Sequence, residues 1–171
     1  MLIRPATHAD LPAILAIYNE AVLNTPATAD YTPSTLEART AWYEERMQKG
    51  LPVFVAEEED QILGWSSLNP YHARIGYRFS AEVSVYVAAE RRGRGIGKQL
   101  LPALIEAGRI QGLHVLIASI DSENEASIRL HTAYGFTTIG TLSEVYTKFG
   151  RWLGVTYMEL RLSTDAAPPM P

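Results

Sequence analysis

Apolar positions along the chain switch period several times, and the switches predict alternating strands and helices. "LIRPA" at residues 2–6 reads as a short first strand. Thr7 with Asp10 three residues on is a capping-box-like start, after which Leu11, Ile14, Leu15, Tyr18 and Val22 recur at helical spacing. Asn24 to Pro33, "NTPATADYTP", is a loop long enough to reach a ligand. Thr32 and Pro33 predict an N-cap with proline at the first helical position, opening a helix that runs to about Lys49 and is ended by Gly50. Val53–Glu57 and Ile62–Asn69, separated by an acidic turn, predict a hairpin.

"EVSVYVA", Glu82–Ala88, alternates strictly and is the clearest strand. A glycine-rich loop leads into a helix from about Gly97 to Gln111, where Pro102 removes one backbone hydrogen bond and predicts a local kink. "HVLIASI" is a continuous apolar run, the pattern of a strand covered on both faces. "SENEASIRLHTAYG" predicts a helix with Ser122 or Asn124 near its cap and Gly135 at its end. "FTTIGTLSEVY" and "GVTYMELRL" predict two last strands flanking "TKFGRW". Strand–helix–strand units mixed with hairpins put the chain in the α/β class, with a mixed, predominantly antiparallel central sheet and helices on both faces.

Composition narrows this picture. The length, 171 residues, suits one domain over 1–163, followed by a proline-rich tail, 164–171, expected to be flexible. A net charge of −4 argues against a general nucleic-acid binder. The absence of cysteine excludes disulfides and thiolate catalysis and suits a reducing cytoplasm. No apolar run approaches the ~18 residues of a membrane span, and no signal peptide is expected. Four histidines are scattered without ligand spacing, so no metal is expected.

The densest candidate chemistry is "RRGRGIGKQL", residues 91–100, with three glycines and four cations. Arg92 stands where a Walker-type loop needs glycine, and Lys98 where a dinucleotide fingerprint needs its third. The physics behind both motifs still applies. Glycines let a chain wrap a phosphate, and a helix start points free N–H groups at it. The plain alternative is a flexible basic turn. In the strand before it, alternation puts Glu82 on the face of Ser84 and Tyr86, opposite Val83, Val85 and Val87. A lone carboxylate opening a mostly apolar strand is costly to bury charged, which is the setting of a general base.

The strand "VSVYVA", then Arg92-Gly93-Arg94-Gly95-Ile96-Gly97, then helix, strand and Asn124…Gly135-Phe136 resembles the GNAT superfamily of N-acetyltransferases. A closer likeness is to phosphinothricin and methionine-sulfoximine N-acetyltransferases, carried by "IYNEAV", "EVSVYV", "SIRLHTAYGF" and "KFGRW". The resemblance implies a GNAT-like fold and acetyl-CoA as cosubstrate. Its diphosphate would lie on Arg92, Gly93, Arg94, Gly95, Ile96, Gly97 and Lys98, and its pantetheine arm against Asn124. Backbone amides of the Val85-Tyr86-Val87 run, near Val85 or Tyr86, would hold the oxyanion where that strand splays from its neighbour. Glu82 is implied as base. His131, at a position commonly tyrosine in the superfamily, is implied to protonate the thiolate or relay a proton, with Tyr134 as fallback. His131 could equally be a packed, hydrogen-bonded core residue.

Arg74 and Arg78, with Tyr31 and Tyr77, are implied to bind the acceptor, since guanidinium pairs bidentately with carboxylate or phosphinate. The "KFGRW" region implies a homodimer. The function expected is acetyl transfer to the α-amine of a small amino-acid-like substrate, direct because no cysteine can carry the acetyl group. Two alternatives stand beside it: acetylation of a protein N-terminus, a lysine or another small amine, and a non-catalytic acyl-CoA sensor. A lysine amine, with pKa ~10.4 against ~8 for a peptide α-amine, is harder to deprotonate at neutral pH.

Overall fold

The computed structural model describes residues 1–162; the tail expected at 164–171 lies outside them. Eleven principal elements follow in chain order: β1 (Leu2–Pro5), α1 (Leu11–Asn24), α2 (Leu36–Gln48), β2 (Val53–Glu58), β3 (Gln61–Pro70), β4 (Ser80–Val87), α3 (Gly97–Ile110), β5 (Val115–Asp121), α4 (Glu125–Ala133), β6 (Thr137–Lys148) and β7 (Arg151–Arg161). The strands form one seven-stranded sheet in the order β1-β2-β3-β4-β5-β7-β6. Only β4 and β5 pair in parallel, so the sheet is mixed and mostly antiparallel.

Two apolar layers hold the helices to the sheet. Leu11, Ile14 and Ile17 of α1 and Tyr43 of α2 pack on Val53, Val55 and Trp65. On the opposite face Leu100, Leu101, Leu104 and Ile105 of α3 bury against Leu68, Val83, Leu116 and Leu63.

Local chemistry sets the element ends. The Thr7–Asp10 capping box forms. Helix α2 begins later than Thr32-Pro33 predicts, with Thr35 as N-cap, its Oγ1 accepting from the Ala38 N–H at 3.1 Å. Asn19 explains the delay. Its side chain accepts from the Ser34 N–H at 2.8 Å and donates to the Ser34 carbonyl at 2.9 Å, holding the chain against α1 until that point. The last hairpin is tighter than "TKFGRW" suggests: β6 and β7 are joined by Phe149-Gly150 alone, both at positive φ, the geometry of a two-residue hairpin turn.

Helix α3 runs unbroken through Pro102. The missing N–H of Pro102 frees the carbonyl of Lys98, four residues back, and the Tyr134 hydroxyl donates to that carbonyl at 2.6 Å. In β5, Leu116, Ala118 and Ile120 are buried while Ser119 is exposed. One face is packed, while the other is half-buried at Val115 and Ile117 and exposed at Ser119, less than the double coverage its apolar run predicts.

Candidate active site

Strands β4 and β5 are paired only at Ser80–Val115, Ala81–Leu116 and Glu82–Ile117, whereas β5 stays with β7 as far as Asp121. Beyond Glu82 the sheet therefore splits, three residues before the Val85 run where a splay is expected. The Ala88 N–H donates to the Leu63 carbonyl at 2.9 Å, toward β3. By the two-residue period of a strand, the amides of Tyr86 and Ser84 also turn to β3, the Val83 amide serves the last pairing with β5, and those of Val85 and Val87 turn into the split. Of Val85 and Tyr86, parity selects Val85 as the amide offered to a ligand.

A cavity of about 660 Å³ runs from this split to the glycine loop, lined by Val85, Tyr86, Val87, Gly93, Gly95, Lys98 and, across it, Asp121 and Asn124. Gly93 and Gly95 sit at φ +78° and +79°, left-handed backbone that a side chain would strain. Nothing lies within 4 Å of where their Cβ atoms would be, so the loop is bare on its outer surface. Among the described residues, no backbone carbonyl accepts from the N–H groups of Gly93, Arg94, Gly95 or Ile96. Gly97 serves another purpose: a Cβ there would stand 3.0 Å from Leu130 Cδ2, so its absence lets α3 approach α4. Arg92 lines the cavity and pairs with Glu20 at 2.7 Å; Arg94 turns to Glu58 at 3.3 Å and stays outside. Both pairs are solvent-exposed and of little energetic consequence. Asn124 caps α4, its Oδ1 accepting from the Ser127 N–H at 3.1 Å, and its amide NH₂ remains available to the cavity.

On the opposite face of β4 is a second cavity, about 420 Å³. Its floor is three cross-strand pairs in register: Trp65–Tyr86, Ser67–Ser84 and Asn69–Glu82. Trp65 and Tyr86 stack at 4.7 Å. Asn69 donates to the Glu82 carbonyl at 3.2 Å and to Ser84 Oγ at 3.0 Å, while its own oxygen accepts Arg46 Nε at 3.0 Å and Nη2 at 2.6 Å. The roof is Tyr18 from α1 and Arg39, Trp42 and Arg46 from α2. Burial pushes the Arg46 guanidinium down to about 10, which leaves it charged at neutral pH.

Glu82 also lines a third, smaller cavity of about 220 Å³ together with Ser119, Asp121, Asn124 and His131. The base candidate thus stands where the two sides of the sheet communicate. His131 is 4% exposed, and its Nδ1 lies 2.8 Å from the Ser127 carbonyl. A carbonyl only accepts, so Nδ1 carries the proton and Nε2 the lone pair. Burial lowers the His131 pKa below its ordinary value, which favours this neutral ring.

The loop between α1 and α2 closes all three cavities from above: Pro26 and Ala27 line the first, Thr28 the third, Asp30 and Ser34 the second. Strand β6 ties it down. The Tyr146 hydroxyl donates to the Pro26 carbonyl at 2.9 Å, and buried Lys148 to the Thr28 carbonyl at 2.7 Å.

The Acetyltransferase (GNAT) domain family matches residues 3–156. This chain is a GNAT acetyltransferase. An L-methionine sulfoximine/L-methionine sulfone acetyltransferase of Pseudomonas paraeruginosa is 48% identical over 168 residues, 98% of each chain. The Salmonella typhimurium acetyltransferase yncA, solved with its cofactor acetyl-CoA, is 44% identical with TM-score 0.97 over 98% of this chain and 97% of its own. The crystal structure of a ribosomal-protein-alanine N-acetyltransferase from Brucella melitensis is 52% identical with TM-score 0.92, covering 94% and 99%.

In this GNAT chain the expected residues divide by place. Glu82, His131, Asn124, the Val85–Val87 run and most of the glycine loop meet at connected cavities. Tyr134 does not line them; its hydroxyl is given to Lys98. Arg74, Tyr77 and Arg78 lie exposed on the connection from β3 to β4, outside all three, with Arg78 over the Phe79 ring. Tyr31 is exposed too, hydrogen-bonded to Thr147 Oγ1 at 2.8 Å. Sequence reasoning missed Arg39, Trp42 and Arg46. Their signal was present: positions i, i+3 and i+7 on one face of a helix otherwise poor in apolar periodicity.

Proposed function

We propose that this enzyme moves the acetyl group of acetyl-CoA directly to the α-amine of a small amino acid with a polar, uncharged side-chain end, of the methionine sulfoximine or sulfone kind. The observation that carries the reading is the position of Glu82, at the split of the sheet and shared by the cavities on its two faces. Acetyl-CoA supplies an activated acyl thioester. The cavity fits it, because bare amides at 93–96 suit a diphosphate, and inward amides at Val85 and Val87 suit the carbonyls of an extended arm. The Val85 N–H faces the split, where it can hold an oxyanion.

From the other face, the acceptor ammonium enters the second cavity and gives a proton to Glu82 before its nitrogen attacks. The neutral His131 has an accepting Nε2, which suits relaying that proton rather than donating one to sulfur. With no cysteine in the chain, no acetyl-thioester intermediate on the enzyme is available.

The unpaired edge strand β6 and the exposed Leu142, Val145, Phe149 and Trp152 support a homodimer built on the β6–β7 hairpin.

Thiol release from acetyl-CoA, followed with methionine sulfoximine, methionine sulfone, phosphinothricin, an alanine-initiated peptide and Nα-acetyl-lysine, tests the reading. Turnover is expected with the free amino acids. Turnover with the peptide alone would move the enzyme to protein N-termini, the activity named for its Brucella relative.

A further inference from the structure

Arg39 is 4% exposed, yet no acidic side chain pairs with it among the described residues. Aromatic rings cover its guanidinium instead. The guanidinium carbon lies 4.0 Å from the Tyr18 ring centre, 4.6 Å from that of Trp42 and 5.6 Å from that of Trp65. Stacking satisfies the faces of a guanidinium, and its in-plane N–H groups still need acceptors. Its Nε is fully buried without a hydrogen-bond partner. A buried donor left this way costs free energy that evolution removes unless a ligand completes it.

We propose that Arg39 binds the α-carboxylate of the acceptor, so that the second cavity selects amino acids as zwitterions. The inference rests on the acetyl-transfer reading and specifies its acceptor site. The cavity that Arg39 roofs has Glu82 in its floor, a cation facing a carboxylate across about 420 Å³. An α-amino acid carries the complementary charges on adjacent atoms. With its carboxylate on Arg39, its ammonium is turned toward the base. Arg46, the other cation of this cavity, is committed to Asn69 and the Trp42 carbonyl. Asp30, which takes the Tyr18 hydroxyl, lines the same cavity and acts on Arg39 without forming an ion pair with it. Arg74 and Arg78, the arginines first implied by sequence, are exposed and outside this cavity.

The test compares methionine sulfone with its α-carboxamide as acceptors. The amide's amine is the more acidic, a difference that cancels when the ratio of kcat/KM values is compared between variants. The wild-type ratio should favour the acid relative to Arg39→Gln by about 10- to 100-fold, the range of a charge-assisted hydrogen bond, with KM for acetyl-CoA unchanged. Arg39→Lys keeps charge without the fork and should fall between. Should Arg39→Gln not fold, calorimetry on the wild-type enzyme decides: tighter binding of the acid supports the proposal, and equal affinity overturns it. Loss of the preference in Arg74→Gln or Arg78→Gln, with Arg39→Gln retaining it, also overturns it. If the wild-type enzyme acetylates neither compound, the acetyl-transfer reading fails first, which separates the two failures.

Discussion

The Tyr134 hydroxyl donates to the Lys98 carbonyl, the acceptor that Pro102 leaves unused four residues later in α3. The bond pins α4 to α3 beside the glycine loop and turns the phenol away from the cavities. Tyr134→Phe should therefore keep kcat within about twofold while losing about 1 kcal/mol of stability in urea unfolding. A tenfold fall in kcat with unchanged stability would return Tyr134 to the role of proton donor.

Gly95 lies at φ +79° on the bare rim of the large cavity. Gly95→Ala strains that conformation by about 1–2 kcal/mol and tilts the loop amides. KM for acetyl-CoA should rise at least several-fold in steady-state assays while KM for the acceptor stays level. An acceptor-selective effect would place the cofactor elsewhere.

His131 has a folded pKa below its ordinary 6.5 because burial opposes the charged ring. The unfolded chain then binds the proton first on acidification. This contribution to stability is complete above 6.5 and is lost as pH falls from there through the lower folded value. Urea midpoints at pH 7.5 and 5.5 should show a smaller acid loss for His131→Leu than for the wild type. An equal loss would mean the ring is not held neutral.

Trp152 is 65% exposed, beside the turn that ends the edge hairpin. Trp152→Glu should convert a dimer to monomer in sedimentation velocity. A wild-type monomer would remove the dimer reading outright.

Much of this architecture was legible before any coordinates. The alternation of Glu82–Val87 gave the face shared by Glu82, Ser84 and Tyr86, and that face forms the floor of the second cavity. The glycine loop pointed to bare backbone, which lines the large cavity, and Asn124 pointed to a cap. What stayed hidden depends on tertiary contacts between distant residues. Asn19 delays α2 through Ser34, fifteen positions away, which no local capping rule contains. Arg39 looks like one more cation on a polar helix until Tyr18, Trp42 and Trp65 are assembled around it. The arginines of the β3–β4 connection were implied by the family resemblance and lie exposed outside the three cavities, whereas Arg39 of α2 lines the cavity that Glu82 floors.

The central claim, that the carboxylate at the split of the sheet deprotonates the acceptor, is met most directly by Glu82→Gln. With methionine sulfone and acetyl-CoA, kcat near neutral pH should fall by about 10²–10⁴ while KM for acetyl-CoA stays within about twofold. Glu82→Gln turning over at the wild-type rate would contradict the account.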